Sequence, residues 1–170
     1  MIALISERGL CLLEFAAGTR GLERELAQVE AARGGPAHYG ANALAAQLEE
    51  QLAGYFAGRC RSFDLPLDMV GTPFQVAAWQ ALLAIPYGET RSYAQQARQI
   101  GHPRAVRAVA AANGQNRISV IIPCHRVIGS DGSLTGYGGG MPRKQWLLAL
   151  EQAGAPPRDL LPKFILHLPQ

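Results

Sequence analysis

The chain has 170 residues, 48% hydrophobic and 17% charged, too apolar and too weakly charged for a disordered protein and long enough for one domain or two small ones. No apolar run approaches the roughly 20 residues that cross a bilayer. The start, Met1 to Phe15, is broken by Glu7 and Arg8 and has no basic leader, and the three cysteines (Cys11, Cys60, Cys124) include no CxxC pair. These features predict a cytoplasmic protein with no membrane contact, no disulfide framework and no metal.

The formal charge of +3 is unevenly spread: residues 1–70 carry six Arg against nine acids, and residues 71–170 carry ten bases against four. Between 91 and 145 the only acid is Asp131, set against Arg91, Arg98, Arg104, Arg107, Arg117, Arg126, Arg143 and Lys144. Such an excess suits a polyanion, nucleic acid first, but charge alone fits a solvated basic face equally well.

In chain order, Ile2–Ile5 and Leu10–Phe15 around Arg8-Gly9 predict a β-hairpin. Leu22–Ala32 and Leu44–Phe56 predict helices, the second with Leu44, Leu48, Leu52 and Phe56 on one stripe. Gly58–Gly71 has no helical period and contains Pro66. It reads as a linker between a lobe over 1–70 and a second over 71–170. Thr72-Pro73 is an N-cap with proline at the first helical position, opening a helix that ends near Pro86. Ser92 with Gln95 forms a capping box for a short helix to about Ile100. Gly101-His102 breaks it, and Pro103 restarts a helix to Asn113-Gly114, giving a helix-turn-helix pattern.

Ile118–Ile122 reads as a short strand ending in Pro123-Cys124-His125-Arg126, followed by a loop with Gly129, Gly132, Gly136 and Gly138 to Gly140. Pro142 opens a last helix carrying Trp146, Leu147, Leu150 and Glu151, and the tail from Gly154 reads as irregular. The fold class is α+β: a small antiparallel sheet with helices, then a mainly helical part with the helix-turn-helix and a reactive loop.

Cys124 sits at a strand end beside His125 and Arg126. A thiol attacks as thiolate and needs a base or a positive environment, which these neighbours offer. Cys11 and Cys60 have no histidine beside them and read as structural thiols. Glu151, taken alone, reads as an ordinary exposed helix carboxylate. The second helix of the helix-turn-helix (Arg104 to Asn113) carries almost only small residues besides Arg104 and Arg107. That composition suits close approach to DNA walls and shallow minor-groove entry better than base readout in the major groove. The competing reading is an alanine-rich buried helix.

The segment Ile121-Ile122-Pro123-Cys124-His125-Arg126-Val127 resembles the signature of the O6-alkylguanine-DNA alkyltransferases. The likeness runs from Gly71-Thr72-Pro73-Phe74 through Ile85-Pro86, Gly88, Ser92-Tyr93 and Arg104 to Val109. It continues through Ala112-Asn113-Gly114, Asn116, Gly136-Tyr137 and Arg143-Lys144 to Glu151.

The resemblance implies a ribonuclease-H-like N-terminal lobe, short of a first strand here, and single-turnover transfer of an alkyl group from O6-alkylguanine in double-stranded DNA. Cys124 would be the acceptor, His125 its base through a water, Glu151 the residue orienting His125, and Asn116 the support of the turn. Tyr93, the Val127 carbonyl, Tyr137 and Gly138 would meet the extruded guanine. Arg107 would fill the vacated stack, with Arg104, Ala105, Ala108, Arg126 and Lys144 among the DNA contacts. The family implies no cofactor, a minor-groove approach and a monomer. Its non-repairing, lesion-binding relatives lack the acceptor cysteine; a cysteine hydrolase is the other alternative, but no oxyanion hole is evident.

Overall fold

The computed structural model describes residues 1–16, 21–40 and 42–154. Beyond Gly154, the expected irregular tail lies outside the described residues. Strand β1 (Ile2–Ser6) pairs antiparallel with β2 (Gly9–Glu14), with a bulge between Leu4 and Ile5. Every residue of β2 is buried, so both edges of its backbone must find partners. On the edge away from β1, Leu10 donates to Pro66 O and Asp68 donates to Leu10 O, both at 2.9 Å. Further along, Leu13 donates to Arg117 O and Ser119 to Leu13 O, both at 2.8 Å. The 58–71 segment, expected as a linker, is thus irregular but docked on the hairpin through Leu67.

Helices α1 (Leu22–Arg33) and α2 (Ala43–Phe56) follow. On α2 the Asn42 side chain caps Leu44 N, and Leu48, Leu52 and Tyr55 form the buried face. Helix α3 (Pro73–Leu83) opens on Thr72, which makes a reciprocal capping box with Gln75. Its Trp79, fully buried, donates its indole N–H to Ala112 O at 2.8 Å.

A two-residue strand, β3 (Arg91–Ser92), leads into α4 (Tyr93–Gln99) through the expected Ser92–Gln95 box. Helix α5 (Val106–Asn113) starts three residues later than Pro103 suggests. Residues 103–105 form a turn in which Ala105 donates to His102 O, so Arg104 precedes the helix rather than riding on it.

A buried amide pair locks α4 to α5. Gln96 Nε2 donates to Asn113 Oδ1 at 3.0 Å, and Asn113 Nδ2 returns a bond to Gln96 Oε1 at 2.7 Å. Gln96 also donates to Ala78 O, joining α3 to the same lock.

The strand expected at Ile118–Ile122 does not form. Only Ile118 bridges to Leu13, and the chain then tightens through bonds from Ile121 to Ser119 O and from Ile122 to Ile118 O. Val120 takes a positive φ of 74°. The apolar run is buried, and apart from the Ser119 N–H bond to Leu13 O its backbone groups are met by local turns and by Asn116. A single 3₁₀ turn (Cys124–Arg126) leads into β4 (Val127–Ile128), which pairs parallel with β3. Helix α6 (Met141–Ala153) closes the described fold.

The main core draws Leu10 and Leu13 from β2, Leu48, Leu52 and Tyr55 from α2, Trp79 and Leu82 from α3, Ile118 and Ile122, and Trp146, Leu147 and Leu150 from α6. Cys124 lies within it. A smaller cluster of Cys11, Leu12 and Val29 fills the space between the hairpin and α1. Because the Gln96–Asn113 pair is buried, Asn113→Ala strands the Gln96 carbonyl and should cost about 1–3 kcal/mol in urea unfolding. A loss below about 0.5 kcal/mol would contradict the locking role.

Candidate active site

Asn116 builds the turn that carries the thiol. Its Nδ2 donates to Ile122 O at 2.8 Å and to Cys124 Sγ at 3.2 Å, while Oδ1 accepts from Ile118 N at 3.1 Å. One side chain therefore replaces the missing strand ladder and also touches the sulfur. Cys124 is 7% exposed. Burial pushes its thiol up to about 11, against the Asn116 bond and the Lys144 charge, which act downward. At neutral pH the resting sulfur is a protonated thiol, so attack requires a base.

His125 is fully buried, and its Nε2 lies 2.9 Å from Glu151 Oε1. Burial, with the charges of Arg126 and Lys144, lowers its pKa despite the carboxylate. A neutral ring facing an ionised carboxylate carries its proton on Nε2, an assignment inferred from the network. The other nitrogen, Nδ1, is buried and has no protein partner; in that tautomer it holds a free lone pair.

Glu151 is the most heavily bonded side chain of the site. Oε1 accepts from Tyr55 OH at 2.5 Å, from His125, and from Arg126 Nη2 at 2.9 Å. Oε2 accepts from Arg126 Nε at 2.9 Å and from Gly88 N at 3.1 Å. Burial opposes its ionisation, but the bonds from His125, Arg126 and Tyr55 outweigh it and hold the carboxyl at about 2. Gly88 adopts φ 78°, and a Cβ there would sit 3.2 Å from Glu151 O, so a glycine is required for this N–H to reach the carboxylate.

Two expectations need correction. Arg126 and Lys144 do not lie on a DNA-facing surface. Arg126 is 7% exposed, grips Glu151 with two nitrogens and donates Nη1 to Ile85 O at 2.5 Å. Lys144 is fully buried and donates Nζ to Val127 O at 2.6 Å and to Thr135 O at 2.8 Å. Both cations are spent on internal acceptors: Arg126 secures the carboxylate, and Lys144 pins the two flanks of the glycine-rich loop and bears on the thiol.

The remaining residues divide between the loop and the helix-turn-helix. Val127 is buried at the start of β4, Gly138 is exposed, and Tyr137 is half-buried with its hydroxyl inside. Tyr137 packs close to Gly139, where an added Cβ would approach its ring to 2.8 Å and the Phe15 ring to 3.1 Å. Arg143 donates to Gly139 O and stacks over Phe15 at 4.5 Å. Arg104, Arg107 and Ala108 are exposed, Ala105 is half-buried at the N-cap of α5, and Val109 and Ala112 face the core. Tyr93, half-buried, starts α4 directly after β3, whose pairing with β4 ties it to the Cys124 turn.

Sequence reasoning gave no role to Tyr55, Ser119 or Glu14, and it placed Gly88 in the likeness without a partner. Tyr55 stands beside the Leu48–Leu52 stripe, and Glu14 is a lone acid in an apolar hairpin strand. Each carried a pattern signal, but neither position revealed its partner.

Residues 73–153 match the family described as 6-O-methylguanine DNA methyltransferase, DNA binding domain. A methylated-DNA–protein-cysteine methyltransferase of Mycolicibacterium paratuberculosis is 60% identical over 107 residues, which cover 63% of this chain and 65% of that protein. The match therefore spans just under two thirds of that relative. One of the same name from Methanosarcina barkeri is 46% identical over 147 residues, covering 86% of this chain and 87% of that protein.

The crystal structure of Mycobacterium tuberculosis O6-methylguanine methyltransferase superposes with a TM-score of 0.71 at 44% identity, covering 91% of this chain and 93% of that one. Mycobacterium tuberculosis OGT in complex with DNA gives 0.65 at 58% identity, covering 65% and 69%. With 46% identity to one relative over 87% of its length and a matching crystal structure covered to 93%, the chain belongs to the methylated-DNA–protein-cysteine methyltransferase family.

Proposed function

We propose that this protein repairs DNA by moving the alkyl group of O6-alkylguanine onto its own Cys124, once per molecule. The observation that carries the reading is the chain of contacts Asn116–Cys124 and His125–Glu151, assembled in one buried place. The thiol proton passes through a water to His125 Nδ1, and Glu151 stabilises the imidazolium that results. As the S–C bond forms, the O6–C bond breaks, and the electron pair leaves on the guanine, which then takes up a proton. The product thioether has no carbonyl to hydrolyse and no good leaving group, so the protein is consumed.

A guanine in the stack cannot bring its O6 to a buried sulfur, so the nucleotide must rotate out. The exposed Arg107 on α5, among small residues, with Arg104 in the turn just before the helix, supports a minor-groove approach in which Arg107 occupies the vacated space. Tyr93, Tyr137, Gly138 and the Val127 carbonyl would receive the base. That carbonyl already accepts from Lys144 but keeps a second lone pair. We place the protein in the cytoplasm as a monomer. Among the described residues, no helix is long and apolar enough to cross a membrane.

Incubation with a duplex carrying O6-methylguanine should add about 14 Da to the peptide containing Cys124, because methyl replaces hydrogen on sulfur. Cys124→Ser should bind the same duplex with no mass gain. An unmodified wild-type peptide beside bound DNA would instead favour a lesion-binding protein without repair.

Arg107→Ala should slow transfer from duplex about tenfold, a share of about 1.4 kcal/mol in the few kcal/mol that extrusion costs. Reaction with free O6-benzylguanine should be nearly unchanged. Equal slowing on both substrates in single-turnover assays would remove Arg107 from the extrusion step.

A further inference from the structure

The hairpin holds a buried carboxyl against the turn that leads to Cys124, and the mechanism above makes no use of it. Glu14, the last residue of β2, is 3% exposed. Its Oε1 accepts from Ser119 Oγ at 2.8 Å, while Oε2 is buried without a hydrogen-bond partner. Ser119 in turn donates its backbone N–H to Leu13 O, so the carboxyl is held against the turn that leads to Cys124. The Tyr137 hydroxyl is also buried and makes no hydrogen bond of ordinary geometry.

We propose that Glu14 is a positioning residue that restrains the acceptor thiol: neutral, it leaves Cys124 free to lose its proton, and ionised, it opposes the thiolate.

The charges around it are consistent with this role. Burial pushes the Glu14 carboxyl up to about 7, with Glu25 of α1 adding to the rise and Ser119 and Arg143 of α6 opposing it. A negative Glu14 raises the Cys124 thiol, and Lys144 lowers it. Cys124 and Glu14 both oppose ionisation of Tyr137, whose phenol burial drives well above its ordinary value. Below about pH 7 Glu14 is mostly protonated and the restraint is absent; above it the carboxylate appears, and each further gain in thiolate is partly cancelled. The rate then climbs less steeply with pH than a lone thiol and base would give.

The inference deepens the alkyl-transfer reading and rests on it for its functional meaning, but the coupling can be measured without DNA. Alkylation of Cys124 by iodoacetamide, resolved by peptide mass spectrometry from pH 6 to 8.5, reads thiolate availability directly. Alongside it, transfer from an O6-methylguanine duplex is followed over the same range.

For Glu14→Gln, the rate relative to wild type should rise from near one at pH 6 to about fivefold at pH 8.5, a shift of somewhat less than one pKa unit on the sulfur. A purely structural role would change the rate by one constant factor. Ser119→Ala removes the bond that favours the ionised carboxyl, so the wild-type inflection should move to higher pH. This variant carries the test if Glu14→Gln does not fold. A ratio independent of pH, or an inflection that Ser119→Ala leaves in place, overturns the proposal. A pH-dependent ratio with iodoacetamide but no transfer from duplex sustains the coupling and overturns alkyl transfer.

Discussion

One buried negative charge organises the site. The Glu151 carboxylate is met by Tyr55 from α2, His125 and Arg126 from the 3₁₀ turn, and Gly88 from the loop after α3. A buried carboxylate is costly to desolvate, and removing one partner of such a cluster leaves charge uncompensated. The geometry of four chain segments is thereby made mutually dependent. Chemistry benefits because the same carboxylate fixes the histidine tautomer. Arg126 belongs to this arrangement: without its two bonds the carboxylate would be far less firmly ionised, and His125 would lose its orienting partner.

The thiol itself is quiet at rest. Burial keeps it protonated, and the single bond from Asn116 and the nearby Lys144 charge do not offset that. This suits the single-use role proposed for it, since a freely ionised sulfur would be lost to oxidants and adventitious electrophiles. Reactivity is then conditional on a base beside the sulfur and a substrate carbon in reach. The Lys144 clamp on Val127 and Thr135 and the packing of Phe15 against Gly139 and Arg143 hold the glycine-rich loop beside the sulfur.

Local chemistry made much of this readable before any coordinates. The Thr72–Pro73 cap, the Ser92–Gln95 box and the hairpin follow from short-range rules and formed as read, and the α2 stripe formed with Tyr55 buried beside Leu48 and Leu52 while Leu44 and Phe56 stay half-buried. The failures come from side-chain partners that no short-range rule specifies. Ile118–Ile122 is β-compatible by composition, yet Asn116 and local turns satisfied its backbone. Arg126 and Lys144 were read as surface cations because a charge in a basic stretch is normally solvated. Arg126 is taken up by Glu151 and the Ile85 carbonyl, 25 and 41 residues away, and Lys144 by the Val127 and Thr135 carbonyls, 17 and 9 residues away. Tyr55, 96 positions from Glu151, had no sequence cue linking the two. Cys124, His125 and Asn116 stand out in the sequence because their motif is compact, and the structure brings Asn116 onto the sulfur.

The central claim is that Glu151 holds His125 as a neutral ring with its proton on Nε2 and an open lone pair on Nδ1. Nitrogen-15 NMR of the His125 ring in the unreacted protein, from pH 5.5 to 8, tests it most directly. The account predicts a protonated Nε2 and an unprotonated Nδ1 at neutral pH. A ring carrying its proton on Nδ1, or an imidazolium persisting above pH 7, would contradict it.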